Sequence, residues 1–135
     1  MCSWRKSIRP VEIGLVEAIF RYPVKSMGGE PLEVANLGWH GLDGDRRLAF
    51  RRIDDRSGFP WLTASKLPDL LLFGPHRREN GAQGELPTHV RTPEGLAMPV
   101  FGEGLAMEVG RRYGASVLCC IESDDHPVSA CNSSF

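Results

Sequence analysis

Fifteen glycines and ten prolines in 135 residues limit every regular element this chain can form. Glycine inside a helix or strand costs about 0.5–1 kcal/mol relative to alanine. Proline removes a backbone donor and fixes φ. Placed as they are here, they divide the chain into short runs. Short strands with frequent turns and one or two minor helices are what such runs can build. No strand–helix–strand alternation is visible, which argues against a Rossmann-type fold. The expected fold is mainly β: a small β-barrel or sandwich of short, mostly antiparallel strands with one or two short helices.

The length is that of one domain. Residues 11–121 carry the patterned sequence, 1–10 read as a flexible N-terminus and 122–135 as a loose tail. Val11, Ile13 and Leu15 alternate with Glu12 and Gly14, a strand periodicity. The phase slips at Val16, so a bulge there would turn Val16, Ala18 and Phe20 to the core. Gly28-Gly29 reads as a turn and 32–37 as a second strand. Leu48 and Phe50 alternate with Arg47 and Arg51, a third strand with one polar face. Trp61 to Thr63 pair back after the turn Asp55-Arg56-Ser57-Gly58. Ser65 is the expected cap of a short helix over 67–73, entered at Pro68 and stopped by Gly74-Pro75. Residues 76–87 read as an exposed loop. A hairpin is expected about Pro93-Glu94-Gly95, a helix over 105–113 closed by Gly114, and a strand over 116–121.

The formal net charge is -1, from 16 basic and 17 acidic residues, which argues against a general nucleic-acid binder. No apolar run approaches the roughly 20 residues that span a bilayer. No apolar segment long enough for a signal peptide follows the basic N-terminus. The expected setting is cytoplasmic, with no membrane partner. The four cysteines, Cys2, Cys119, Cys120 and Cys131, include no CxxC pair. They read as reduced thiols rather than as a metal site, with Cys119 and Cys120 on opposite faces of a strand.

Two segments hold the residues best suited to a compact anion: "YPVKSMGG" at 22–29 and "GLDGDR" at 41–46. Lys25 offers a mobile point charge and Ser26 a hydroxyl donor. Arg46 offers a bidentate fork to phosphate or carboxylate. Gly28 and Gly29 would let a ligand or another strand come close. The plain alternatives are a solvated lysine in a turn and a solvated strand face. The second has five Arg and four Asp between Leu42 and Arg56 compensating one another. Thr63, Ser65 and His40 are weaker candidates. The histidines lack metal-ligand spacing, and no catalytic motif of the Walker, HExxH or GxSxG type occurs.

The run from Val11 to Phe73, with "YPVKS", a Gly pair, "GLDGDR", an aromatic-rich turn, "LTA" and a Pro-containing helix in that order, resembles the N-terminal β-barrel domain of the MOSC (molybdenum cofactor sulfurase C-terminal) proteins. These include YcbX-type proteins, mitochondrial amidoxime-reducing components and the C-terminal part of molybdenum cofactor sulfurases. The resemblance implies that Lys25, Ser26 and Arg46 contact molybdopterin, especially its phosphate. It departs at Ser65 and Asp69, where the family commonly has Arg. In the family a following MOSC domain supplies the cysteine that binds molybdenum. The segment "YGASVLCCIESDDHPVSACNSSF" resembles the join to that domain, and none of its cysteines stands at the metal-binding position. The resemblance therefore implies a molybdenum-cofactor-binding module that is not catalytic by itself, with a MOSC-domain or redox partner chain. Pyridoxal phosphate on Lys25 ranks lower, because in the sulfurase relatives that cofactor belongs to a separate domain. The alternatives from other classes are a non-catalytic anion- or protein-binding barrel and a remnant without ligand.

Overall fold

The computed structural model describes residues 9–77 and 86–121. In chain order the elements are β1 (Ile19–Arg21), β2 (Glu30–Leu32), β3 (Leu37–Gly38), β4 (Gly41–Leu42) and β5 (Leu48–Arg52). A 3-10 helix (Pro68–Leu72) follows, then β6 (Gly74–His76), β7 (His89–Arg91), β8 (Ala97–Pro99), α1 (Glu103–Tyr113) and β9 (Val117–Ile121). The architecture is mainly β, as the Gly and Pro spacing requires. The strands form four small antiparallel sheets, β1-β2, β3-β4, β5-β9 and β6-β7-β8, and no closed barrel forms among the described residues.

The centre of the molecule is β5 against β9, paired from Leu48↔Ile121 to Arg52↔Val117. Alternation sends Phe50 and Val117 into the main core with Leu70, Phe73, Leu105 and Val109, all buried. The opposite face of the pair was expected to be polar. Instead Ala49 and Cys120 are buried there under Trp61. Trp61 bridges to Arg51 and Leu62 N–H donates to Phe50 O at 2.7 Å, so 61–62 lies along β5 and covers that face.

α1 buries Leu105 and Val109, one turn apart on one stripe, and ends at Gly114 with φ 89, the left-handed cap that glycine adopts without strain. Its last turn carries Arg112, which ties three elements together. Arg112 pairs with Glu108 one turn earlier, with Asp69 of the 3-10 helix at 3.2 Å, and with Glu94 of the β7-β8 turn. Its guanidinium also stands over the Phe73 ring at 5.4 Å. Asp69 thus has a basic partner in this chain. The same contacts set the charges. Hydrogen bonds from Arg111 and Arg112 hold the Glu108 carboxyl below its ordinary range. A backbone hydrogen bond and then Arg112 do the same to Glu94.

Several local expectations are corrected. Residues 9–18 form no ladder, and Val11, Ile13, Leu15 and Val16 are exposed rather than turned to a core. Phe20 is half-exposed although it lies in β1. A strand period needs a neighbouring strand to become a strand, and among the described residues none pairs with 9–18. The expected strand over 32–37 is instead the end of β2 and the start of a separate hairpin. Ser65 does not cap the 3-10 helix. Leu67 holds that position without a side-chain bond, and the Ser65 hydroxyl lies 2.8 Å from Thr63 Oγ1. Gly74-Pro75 does stop the helix, but as the first residues of β6, an edge strand on which Pro is tolerated. His76, assigned to a loop, ends β6 opposite His89.

The hairpin β7-β8, the helix through 105–113 and the strand over 117–121 agree with expectation. Residues 1–8, 78–85 and 122–135 lie outside the described residues, and with them the expected flexible terminus, most of the loop and the tail. Cys119 and Cys120 do face opposite sides of β9. Cys119 is a free thiol, pushed up to about 12 by burial. Cys120 is disulfide-bonded, which corrects the expectation of four reduced thiols.

Candidate functional site

Met27 N–H donates to Val24 O at 3.1 Å, closing a four-residue turn whose two central residues are Lys25 and Ser26. The turn was expected three residues later, at the glycine pair. Ser26 has φ 66 at the third turn position, where glycine or asparagine usually sits. The second segment makes its own turn, with Asp45 N–H donating to Leu42 O at 3.1 Å and Gly44 at φ 81. Arg46 follows with φ 50. Among the described residues Ser26 and Arg46 are the only non-glycine residues with left-handed backbone. Such a conformation costs about 1–3 kcal/mol for an ordinary residue and persists only where the surroundings impose it.

Those surroundings are the two segments themselves. Arg46 N–H donates to Tyr22 O at 2.7 Å, and Arg47 and Leu48 N–H both donate to Pro23 O, at 3.1 and 3.0 Å. Lys25 N–H returns to Leu48 O at 2.7 Å, and Val24 and Leu48 form a parallel bridge. Asp45 completes the seam: one oxygen accepts from Tyr22 N–H at 2.7 Å, and the other lies 3.8 Å from Arg46 Nε. The structure therefore holds the segments that carry Lys25, Ser26 and Arg46 side by side at one corner of the backbone. Arg46 is set beside Tyr22, three residues, or about 10 Å of extended chain, before Lys25.

The side chains differ in their surroundings. The Arg46 guanidinium is 74% exposed, with its Asp45 contact at the long end of an ion pair. Lys25 is half-buried, and its ammonium stands over the Phe59 ring at 5.6 Å. Phe59 was not anticipated as part of the site. It is held from below: Arg52 donates to Phe59 O at 2.7 Å, Ser57 and Phe59 exchange hydrogen bonds, and Arg52 is clamped by Asp55. The Asp55 carboxyl, accepting from Ser57, lies below its ordinary range. The signal in the sequence was the Asp-x-Ser turn before Phe59, which reads as a turn but does not say which ring it lifts.

Gly28 and Gly29 serve the fold rather than a ligand. A Cβ on Gly29 would meet the Tyr22 ring at 2.7 Å, and one on Gly28 would meet Phe73 O at 3.0 Å. The close approach inferred for them is made by the protein itself. Thr63 and Ser65 bond to each other, and His40 sits at the tip of the β3-β4 hairpin. Among the described residues no three His, Cys, Asp or Glu side chains gather as a metal could require. No helix there is long and apolar enough to cross a membrane. No protein-family model, curated protein or solved structure matches the chain.

Proposed function

We propose that the corner formed by Lys25, Ser26 and Arg46 binds a phosphate monoester, the terminal phosphate of the molybdenum cofactor, and that the domain is a MOSC-type binding module, not catalytic by itself. The observation that carries this reading is the coincidence of backbone strain with ligand chemistry. Ser26 and Arg46, two of three residues singled out as anion contacts, are the two non-glycine residues in left-handed backbone among the described residues. Strain held by a dedicated hydrogen-bond seam is the mark of a pre-organised site. The donor set fits the group. Arg46 supplies an exposed planar fork, Ser26 a hydroxyl, and Lys25 a charge at the rim of an aromatic ring. When bound, the cofactor supplies redox chemistry at molybdenum. The residues of this chain orient its phosphate and neutralise its charge. A MOSC-domain or redox partner chain would complete the site.

The test is a titration with molybdopterin and with a simple phosphate ester, followed by amide shifts in NMR spectra of the whole chain. Shifts confined to Lys25, Ser26, Arg46 and their hydrogen-bonded neighbours are expected. Arg46→Ala should weaken binding by about 1–3 kcal/mol, roughly 5- to 150-fold. Absence of shifts with both ligands sinks the reading. Equal affinity for both would leave a general phosphate site and remove the cofactor assignment.

A further inference from the structure

Two histidines without metal-ligand spacing in the sequence meet on the sheet β6-β7-β8. His76 ends β6, His89 opens β7, and the two are register partners. Directly opposed residues of an antiparallel pair point to the same face. Here that face is the outer one. The alternate residues Pro75 and Val90 are buried, whereas His76 and His89 are half-buried and Arg91 is exposed. The two ring centres lie 6.0 Å apart, with the ring planes at 34°. Each ring is held through the same nitrogen. His76 Nδ1 lies 3.3 Å from Gly74 O, and His89 Nδ1 lies 2.9 Å from Thr88 Oγ1. A carbonyl only accepts, so the neutral His76 ring has its proton on Nδ1 and its lone pair on Nε2. The Thr88 hydroxyl can accept the Nδ1–H of His89 in the same way. Neither Nε2 has a hydrogen-bond partner among the described residues.

We infer that His76 and His89 together bind one divalent transition-metal ion of the zinc class through their Nε2 atoms. Neutral imidazole suits such ions. A metal-binding imidazole characteristically donates its other ring N–H to a neighbouring oxygen, which fixes the tautomer and the ring direction. Both rings already have that support. The spacing fits as well: an ion about 2.0–2.1 Å from both nitrogens sets the ring centres roughly 5–6 Å apart. Among the described residues no third His, Cys, Asp or Glu joins the pair, so water or an anion fills the remaining positions of the ion. An anion is favoured there. Arg91, two residues beyond His89 on the same face and roughly 7 Å along the strand, adds positive charge beside two uncharged ligands. The pair shares no residue with the corner of Lys25, Ser26 and Arg46, and its metal is independent of the cofactor proposed there.

The experiment is a titration of the full chain with zinc chloride, followed in long-range proton–nitrogen NMR spectra that report the imidazole nitrogens. Zinc should move the Nε2 signals of His76 and His89 together. Calorimetry then gives the affinity of the variants, with amide spectra as the fold control. Thr88→Val, which removes only the oxygen behind His89, should weaken binding about 10-fold. His76→Gln and His89→Gln, which each remove a ligand, should weaken it more. Arg91→Ala should tighten it about 2- to 5-fold by removing a like charge. His40→Gln should leave it unchanged. Zinc that moves neither ring, or only one of the two, overturns the inference whether or not the variants fold. Affinity that survives in both His→Gln variants overturns it as well.

Discussion

The arm 11–15 and the strand β9 carry the same kind of sequence and have opposite fates. Each is a five-residue stretch rich in apolar side chains next to a turn or a glycine. β9 lies against β5 and α1 and buries Val117 and Cys120, whereas the arm pairs with no strand among the described residues and exposes Val11, Ile13 and Leu15. The difference is not propensity. It is whether the rest of the chain offers a neighbour with free backbone groups and an apolar face. Alternation gives a segment the capacity to be a strand; a partner makes it one.

The sharpest way to break that comparison is a paired truncation. Phe50→Ala, in the fully buried centre of β5, should cost about 3–5 kcal/mol in denaturant unfolding. Ile13→Ala should change the stability by less than about 0.5 kcal/mol. Comparable losses at both sites would mean that the arm is packed in solution.

Arg112→Ala comes next, at about 1–3 kcal/mol, because it removes the clasp that joins α1, the 3-10 helix and the β7-β8 turn. The clasp also predicts a pH dependence. Glu94 and Glu108 lie below their ordinary 4.5 when folded, so their contribution is complete above that pH and is lost as pH falls through the lower folded values. The acid-side drop in melting temperature should shrink in Arg112→Ala. An unchanged drop would show that other carboxylates dominate acid unfolding.

The smallest effect tests the anion corner. Ser26→Gly should raise stability by about 0.5–1 kcal/mol, because it relieves a left-handed residue at the cost of a more flexible unfolded chain. It should also weaken phosphate-ester binding by removing the hydroxyl. A stabilised variant with undiminished binding would separate the strain from the site.

Much of the fold was legible because local rules decided it. Gly114 closes α1, Pro93-Glu94-Gly95 sets the β7-β8 hairpin, and 117–121 is a strand. The misreadings fell where a side chain met a partner that the run of residue types does not single out. The polar face assigned to β5 is covered by Trp61; the return of 61–63 after the turn was expected, but not that it would leave this face dry. Ser65 had the chemistry of a cap and bonded Thr63 instead. Lys25, Ser26 and Arg46 could be chosen by residue type, but the role of Phe59 depends on a turn anchored by Arg52 at the end of β5 and by Asp55.

By itself the sequence determined the scale and kind of element: short strands, tight turns and one capped helix, because Gly, Pro and alternation act over a few residues. The tertiary structure alone decided which strands find partners, which face of β5 is dry, and that Ser26 and Arg46 are held in left-handed backbone. Those outcomes rest on hydrogen bonds between segments some ten to seventy residues apart. Such long-range pairing is set by the geometry of the whole chain, not by any window of it.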